Sequence, residues 1–221
     1  MQIAVRNRFV FVANSKAAST SLEKALSPHA EIQRSGRPSR KHIHMSKLLE
    51  VYDFLFEQPG YGPETFFKFA VMREPMEWIA SWYRYRSGND VGSAIDGKMT
   101  FADFWERNDW NITRKDGTRN LQSHFMCDDA GKPLVDFIIR YDRLATEFPE
   151  ICKGLRLKVE LPELNVSRIG RGDSVIPEEL RTEVSDHFAE DYALYDRIDE
   201  INRRGREVLA ETRVHARRRR A

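Results

Sequence analysis

Residues 9–26 read Phe9-Val10-Phe11-Val12-Ala13-Asn14-Ser15-Lys16-Ala17-Ala18-Ser19-Thr20-Ser21-Leu22-Glu23-Lys24-Ala25-Leu26. Phe9 to Ala13 is a continuous apolar run, short and bounded by a polar turn, which predicts a strand buried on both faces. Asn14 to Ala18 is a turn of small and polar residues. A helix from Ser19 to Leu26 follows and stops before Pro28, because the residue preceding a proline is driven out of helical backbone. A doubly buried strand needs cover on both sides, so this unit points to an α/β domain.

The same pattern recurs outward. Leu48, Leu49, Tyr52, Leu55 and Phe56 fall at helical spacing, and Pro59, Gly60, Gly62 and Pro63 end that helix. Phe66 to Met72 predicts a second strand, and Pro75 suits the first turn of a helix reaching about Arg86. Residues 33–42 and 87–99 read as loops. A short amphipathic helix fits Phe101 to Trp105. Val135 to Arg140 predicts a third strand, a helix follows near Arg143 to Lys153, and Leu155 to Val159 reads as a fourth strand. Pro177 opens a further helix with Glu178 and Glu179 in its first turn, and helix continues to about Glu211. Strands alternating with helices predict a mostly parallel sheet, whose ligands bind beyond the carboxyl ends of the strands. Attention therefore falls on the segments after Ala13, Met72 and Arg140.

The 221 residues, 41% hydrophobic and 32% charged, suit one soluble domain over 1–211 with a basic, disordered tail at 212–221. No apolar run is long enough for a bilayer. Met1 to Arg8 is polar and basic, without the apolar stretch of a signal peptide, so a cytoplasmic location is expected. Cys127 and Cys152 are no disulfide framework and fit a reducing compartment. The net charge of +2 conceals its distribution: +6 over 1–45, −10 over 46–202 and +6 over 203–221. Basic ends suit nucleic acid or a small anion, according to where the cations fall.

The turn at 14–19 suits an anion. Small residues let the backbone curl with successive N–H groups inward, a helix N-terminus adds its dipole, Ser19, Thr20 and Ser21 add hydroxyls, and Lys16 adds charge. The bland alternative is an ordinary strand–helix turn with Ser19 as N-cap. It is no GxxxxGK[ST] loop, since it lacks glycine and its lysine precedes Ser19 by three residues. After the second strand, Val71-Met72-Arg73-Glu74-Pro75 places Arg73 at a strand end, with Ser81 eight residues on. An arginine fork with a serine hydroxyl can hold a phosphate; a buried Arg–Glu pair with Ser81 as packing is the alternative.

Lys16-Ala17-Ala18-Ser19-Thr20-Ser21 resembles the 5′-phosphosulfate loop of sulfotransferases that use 3′-phosphoadenosine 5′-phosphosulfate (PAPS), nearest to carbohydrate sulfotransferases and their bacterial relatives. Arg73-Glu74-Pro75 with Ser81 resembles that family's 3′-phosphate motif. Asp136 to Leu144 is similar to its third strand, and Leu164-Asn165-Val166-Ser167 and Asp191-Tyr192-x-Leu194-Tyr195 match its distal pattern. The resemblance spans residues 8–198. Asn14-Ser15 stands where a proline often precedes the loop lysine, and Asp142 where Glu is usual. The resemblance implies a P-loop-like three-layer fold: a central, mostly parallel sheet of about four to five strands flanked by helices.

It also implies sulfuryl transfer to a hydroxyl of a glycan, lipid-linked saccharide or small alcohol, with no metal. PAPS contacts are expected at Lys16, Ala17, Ala18, Ser19, Thr20, Ser21, Arg73, Ser81 and Tyr141; Tyr141 is read equally as adenine neighbour or core aromatic. Lys16 is expected to meet charge on the departing 5′-phosphate. His42 is the preferred general base and His44 the second, since a histidine among cations stays neutral; His124 and a carboxylate stay open. Trp78, Trp82 and Tyr85 read as a packing stripe. Trp105, Trp110, Arg114 and Arg119 suit either an acceptor wall or packing. Two other readings are an ATP–Mg-dependent kinase-like phosphotransferase, which the missing glycines and metal acid disfavour, and a nucleic-acid-binding module using Arg217 to Arg220.

Overall fold

A computed structural model describes residues 1–88, 94–159 and 175–218, with side chains to residue 212. In chain order its regular elements are β1 (Gln2–Ala4), β2 (Phe9–Val12), α1 (Ser19–Leu26), β3 (Ile32–Gln33), α2 (Pro38–Lys41), α3 (Met45–Val51), α4 (Asp53–Phe56), β4 (Phe67–Met72), α5 (Pro75–Gly88), α6 (Phe101–Glu106), β5 (Phe137–Arg140), α7 (Leu144–Leu155), α8 (Arg181–His187), α9 (Ala189–Tyr195) and α10 (Ile198–Arg218). Residues 164–167, read above as part of a distal motif, lie outside the described residues.

The elements form a mixed α/β domain with one five-stranded sheet in the order β3-β1-β2-β4-β5. β2, β4 and β5 are parallel, in a register that pairs Phe11 with Phe69 and Phe69 with Phe137. β1 pairs antiparallel with both β2 and β3. The expected mostly parallel sheet is thus corrected to a mixed one. Its parallel part is the three predicted strands; β1 doubles back beside β2 and brings β3 to the edge.

Alternation along the strands separates two cores. Phe9, Phe11, Phe67, Phe69, Phe137 and Ile139 face α1, α7 and α10 through Leu22, Leu26, Phe148, Ile151 and Leu209. Val10, Val12, Ala70, Met72 and Ile138 face Met45, Leu48, Phe56, Leu194 and Ile198. Both strand faces are buried, which explains the unbroken apolar runs. A third cluster joins α5, α6 and α8 through Trp78, Phe101, Phe104, Trp105, Val184 and Phe188.

The expected strand at Leu155 to Val159 does not form. Leu155 ends α7, and Arg156 caps it in left-handed backbone at φ 57°. The N–H of Leu157 returns to the Cys152 carbonyl at 2.8 Å and that of Arg156 to Lys153 at 3.3 Å, so the apolar Leu155 and Leu157 belong to a Schellman-type helix end. The helix expected from Pro177 to Glu211 is divided into α8, α9 and α10 by breaks at Phe188 and at 196–197, and helical backbone continues to Arg218. Among the described residues no helix is long and apolar enough to cross a membrane.

Candidate active site

The first loop leaves β2 at Asn14 and enters α1 at Ser19. It contains no glycine, yet Lys16 (φ 58°) and Ala18 (φ 56°) both adopt left-handed backbone. Such conformations cost on the order of 1–3 kcal/mol each and persist only where the surroundings impose them, commonly at functional sites. Trp78 helps impose this one: it is fully buried, and its Nε1–H donates to the Ser15 carbonyl at 2.9 Å. The first helical turn leaves its N–H groups unpaired by geometry. Among the described residues, those of Ala17, Ala18, Ser19 and Thr20 have no intrachain acceptor, whereas those of Ser21 and Leu22 bond to the Ala18 carbonyl. Ser19 caps no N–H through its side chain; the N-cap is Ala18.

The second loop leaves β4 at Arg73. Its side chain is 5% exposed, with Nε 3.3 Å from Glu77 and its guanidinium 4.5 Å from the Tyr141 ring centre. Nη1 and Nη2 have no hydrogen-bond partner among the described residues. A buried guanidinium with its fork open towards a cleft suits an anion. Glu74 caps α5 by accepting the Glu77 N–H at 2.8 Å, and it also accepts the Tyr192 hydroxyl.

One side chain ties the loops together. Gln122 Oε1 accepts from Asn14 Nδ2 at 2.9 Å and from the Arg73 N–H at 3.1 Å, while its Nε2 donates to the Arg73 carbonyl at 2.8 Å. Asn14 Nδ2 also donates to the Val71 carbonyl at 3.1 Å. Asp191 fixes Gln122 in turn, its carboxylate accepting the N–H groups of Gln122 (3.0 Å) and Ser123 (2.8 Å). Asp191 is fully buried; burial outweighs these bonds and pushes its carboxyl up to about 6. Sequence reasoning did not find this network. The Asp191-Tyr192 pattern was its only visible trace.

The two loops open on one cleft of about 1040 Å³. Lys16, Ala18, Ser19, Thr20, Ser21, His42, His44, Arg73, Ser81 and Tyr141 all line it. Ala17 does not: it is buried in the core, with only its backbone available to a ligand. Lys41, Arg114 and Lys115 also line the cleft, and among the described residues no carboxylate does. Crowded cations leave a mark on Lys16. Burial first, then Arg73 and Arg84, lower its ammonium from 10.5 to about 8.

The histidines differ in what their ring nitrogens meet. His42 Nδ1 lies 2.7 Å from the Ala13 carbonyl oxygen, which can only accept, so Nδ1 carries the proton and Nε2 keeps its lone pair. Burial is the main reason its pKa falls below the usual value, and Lys41 adds to the fall. His44 Nε2 instead lies 3.4 Å from Arg114 Nη2, a group that can only donate, so its lone pair is engaged. Burial, then Arg114 and His124, lower His44 to about 4. His124 is near His44, with ring centres 6.5 Å apart, but does not line the cleft.

The aromatic residues divide differently from the expectation. Trp78 is core, but Trp82 and Tyr85 line the cleft, and Lys16 Nζ lies 3.9 Å from the Tyr85 ring centre and 5.9 Å from that of Trp82. Trp110, 45% exposed, meets Trp82 edge-on at 5.3 Å and completes the wall. Trp105 is packing: it is buried in the third cluster and donates to Glu183 at 2.8 Å. Arg119 faces Glu190 at 3.6 Å and does not line the cleft.

The sequence model of the sulfotransferase family matches residues 1–204 of the chain. No curated protein and no solved structure matches it.

Proposed function

The chain belongs to the sulfotransferase family, and on that premise we propose that it moves the sulfuryl group of PAPS to a hydroxyl of a glycan, lipid-linked saccharide or small alcohol. The observation that carries this reading is one cleft lined by Lys16, Lys41, Arg73, Arg114 and Lys115, without a carboxylate among the described residues, between a first strand-end loop with open backbone N–H groups and a second with the open guanidinium fork of Arg73. PAPS is anionic at both ends of its ribose, and the two loops offer two separate anion sites. The P-loop-like character of the fold is part of the same proposal.

When bound, PAPS supplies the sulfuryl group, and 3′,5′-phosphoadenosine is the product. The N–H groups at 17–20 and the hydroxyls of Ser19, Thr20 and Ser21 hold the 5′ end. Arg73 and Ser81 hold the 3′-phosphate, with Tyr141 beside them towards the adenosine. Lys16, carried by the first loop itself, meets the negative charge that develops where the S–O bond breaks. His42 Nε2, with a lone pair fixed by the Ala13 bond, takes the acceptor proton as the new S–O bond forms. His44 has its lone pair on Arg114 and is a positioning group. The aromatic wall of Trp82, Tyr85 and Trp110 forms the acceptor side, where flat apolar faces suit the C–H face of a sugar.

Thermal-shift titration separates this reading from its rivals, because a ligand stabilises the native state it binds. Stabilisation by 3′,5′-phosphoadenosine, beyond that by ATP–Mg or an oligonucleotide, is expected. No shift with 3′,5′-phosphoadenosine would overturn the proposal, and labelled PAPS with an acceptor panel then identifies the hydroxyl.

A further inference from the structure

We propose that Gln122 is a positioning residue that sets the separation between the two anion-binding loops. This rests on the PAPS reading, since only a ligand with an anionic group at each end feels that separation. Gln122 is fully buried and does not line the cleft, so it touches no ligand. Its amide nevertheless holds both loops at their roots. Its Oε1 accepts the Arg73 N–H while its Nε2 donates to the Arg73 carbonyl, and the same Oε1 accepts from Asn14, two residues before Lys16.

The sheet alone leaves this spacing under-determined. β2 and β4 are hydrogen-bonded through Val12 and Ala70, and both loops begin beyond that last pair. Asn14 and Gln122 continue the connection past the end of the ladder: Asn14 reaches the Val71 carbonyl, and Gln122 reaches Arg73. Both lone pairs of the Gln122 amide oxygen and one of its two N–H donors are spent on this bridge. Asp191 holds its backbone from the other side.

The consequence concerns coupling between the sites. Each loop has its own local donors, so each keeps intrinsic affinity for one phosphate without the bridge. A ligand that carries both phosphates gains from the second contact only if the loops are already at the right distance. Preorganisation is then what converts two weak contacts into one strong one.

The test compares three probes by calorimetry: 3′,5′-phosphoadenosine, adenosine 5′-phosphate and adenosine 3′-phosphate. In Gln122→Ala, affinity for 3′,5′-phosphoadenosine should fall by about tenfold or more, while that for each mononucleotide stays within about threefold. Asn14→Ala removes the other end of the bridge and should show the same selective loss. The double variant should lose little more than either single one, as expected of residues acting as a unit. If Gln122→Ala does not fold, Asn14→Ala and the near-isosteric Gln122→Met carry the test. Unchanged 3′,5′-phosphoadenosine affinity in the folded variants overturns the proposal. So does an equal loss for all three probes with a lowered Tm, which is the signature of a merely structural role. Failure of the unsubstituted protein to bind 3′,5′-phosphoadenosine is a distinct result, and it overturns the PAPS reading itself.

Discussion

His42 Nδ1 donates to the Ala13 carbonyl oxygen across 2.7 Å, and Ala13 is the last residue before the loop that carries Lys16. The proposed base and the proposed cation are therefore referenced to the same strand end. A change of backbone there moves both.

The first prediction is a bell-shaped pH profile for kcat/KM. His42 must be neutral to accept a proton, and burial lowers its pKa below 6.5, so the rate rises with pH through a value under 6.5. Lys16 must be charged, and its pKa in the free protein is about 8, so the rate falls as pH rises past 8. His42→Ala should cost about 10²–10⁴-fold and remove the acidic limb. His44→Ala should cost less and leave that limb in place. An acidic limb that persists in His42→Ala would move the base elsewhere.

Lys16 also predicts a proton count on binding. Burial and the neighbouring Arg73 and Arg84 depress its pKa to about 8. An anionic ligand beside it favours the charged form again, so 3′,5′-phosphoadenosine binding near pH 8.5 takes up protons. Calorimetry in two buffers of different ionisation enthalpy reads this directly. Lys16→Met should abolish the uptake and cost about 10²–10³-fold in transfer. The same uptake in the variant would assign it to another group.

A third prediction concerns α10. A Cβ on Gly205 would lie 2.1 Å from the Asp136 carbonyl oxygen and 3.2 Å from Phe137 Cδ2. One turn earlier, Asn202 Oδ1 accepts the Ile138 N–H at 2.8 Å and its Nδ2 donates to the Ile138 carbonyl at 2.9 Å, satisfying the outer edge of β5. The helix cannot retreat without breaking that pair. Gly205→Ala gains about 1 kcal/mol of helix propensity and meets an overpacking cost of about 1–3 kcal/mol or more. A lower Tm is expected, and a raised Tm would show that α10 has room to shift.

These contacts show what a sequence can and cannot disclose. β2, β4 and β5 were legible because strands buried on both faces must be apolar throughout. β1 and β3 were not, being three and two residues long and defined by a partner rather than a pattern. Leu155 and Leu157 misled because a capped helix end leaves the same apolar spacing as a strand. Lys16 and Arg73 were legible since their chemistry lies within one loop each. Gln122 was not: its partners lie 49, 69 and 108 residues away along the chain, and neutral glutamine announces nothing locally. Trp82 and Tyr85 were seen as a helical stripe, but periodicity does not say whether a stripe faces a core or a cleft.

Asp191 supplies the last prediction, on stability against pH. Its folded pKa of about 6 is above the ordinary 3.8, so the native state binds more protons between those values. The contribution of this group is therefore fully present below about pH 4 and is lost as pH rises through 6. By linkage the swing is of the order of 3 kcal/mol at most. Asp191→Asn removes the titration and turns an amide nitrogen towards one buried N–H, which costs about 1–3 kcal/mol relative to the protonated carboxyl near pH 4, a deficit that shrinks as pH rises through 6. Urea unfolding from about pH 4 to 7.5 should show a variant curve that is lower at the acid end and flatter across the range, so that the two converge towards the alkaline end. Parallel curves would mean that Asp191 is ionised across this range, held by the N–H groups of Gln122 and Ser123 more strongly than burial opposes.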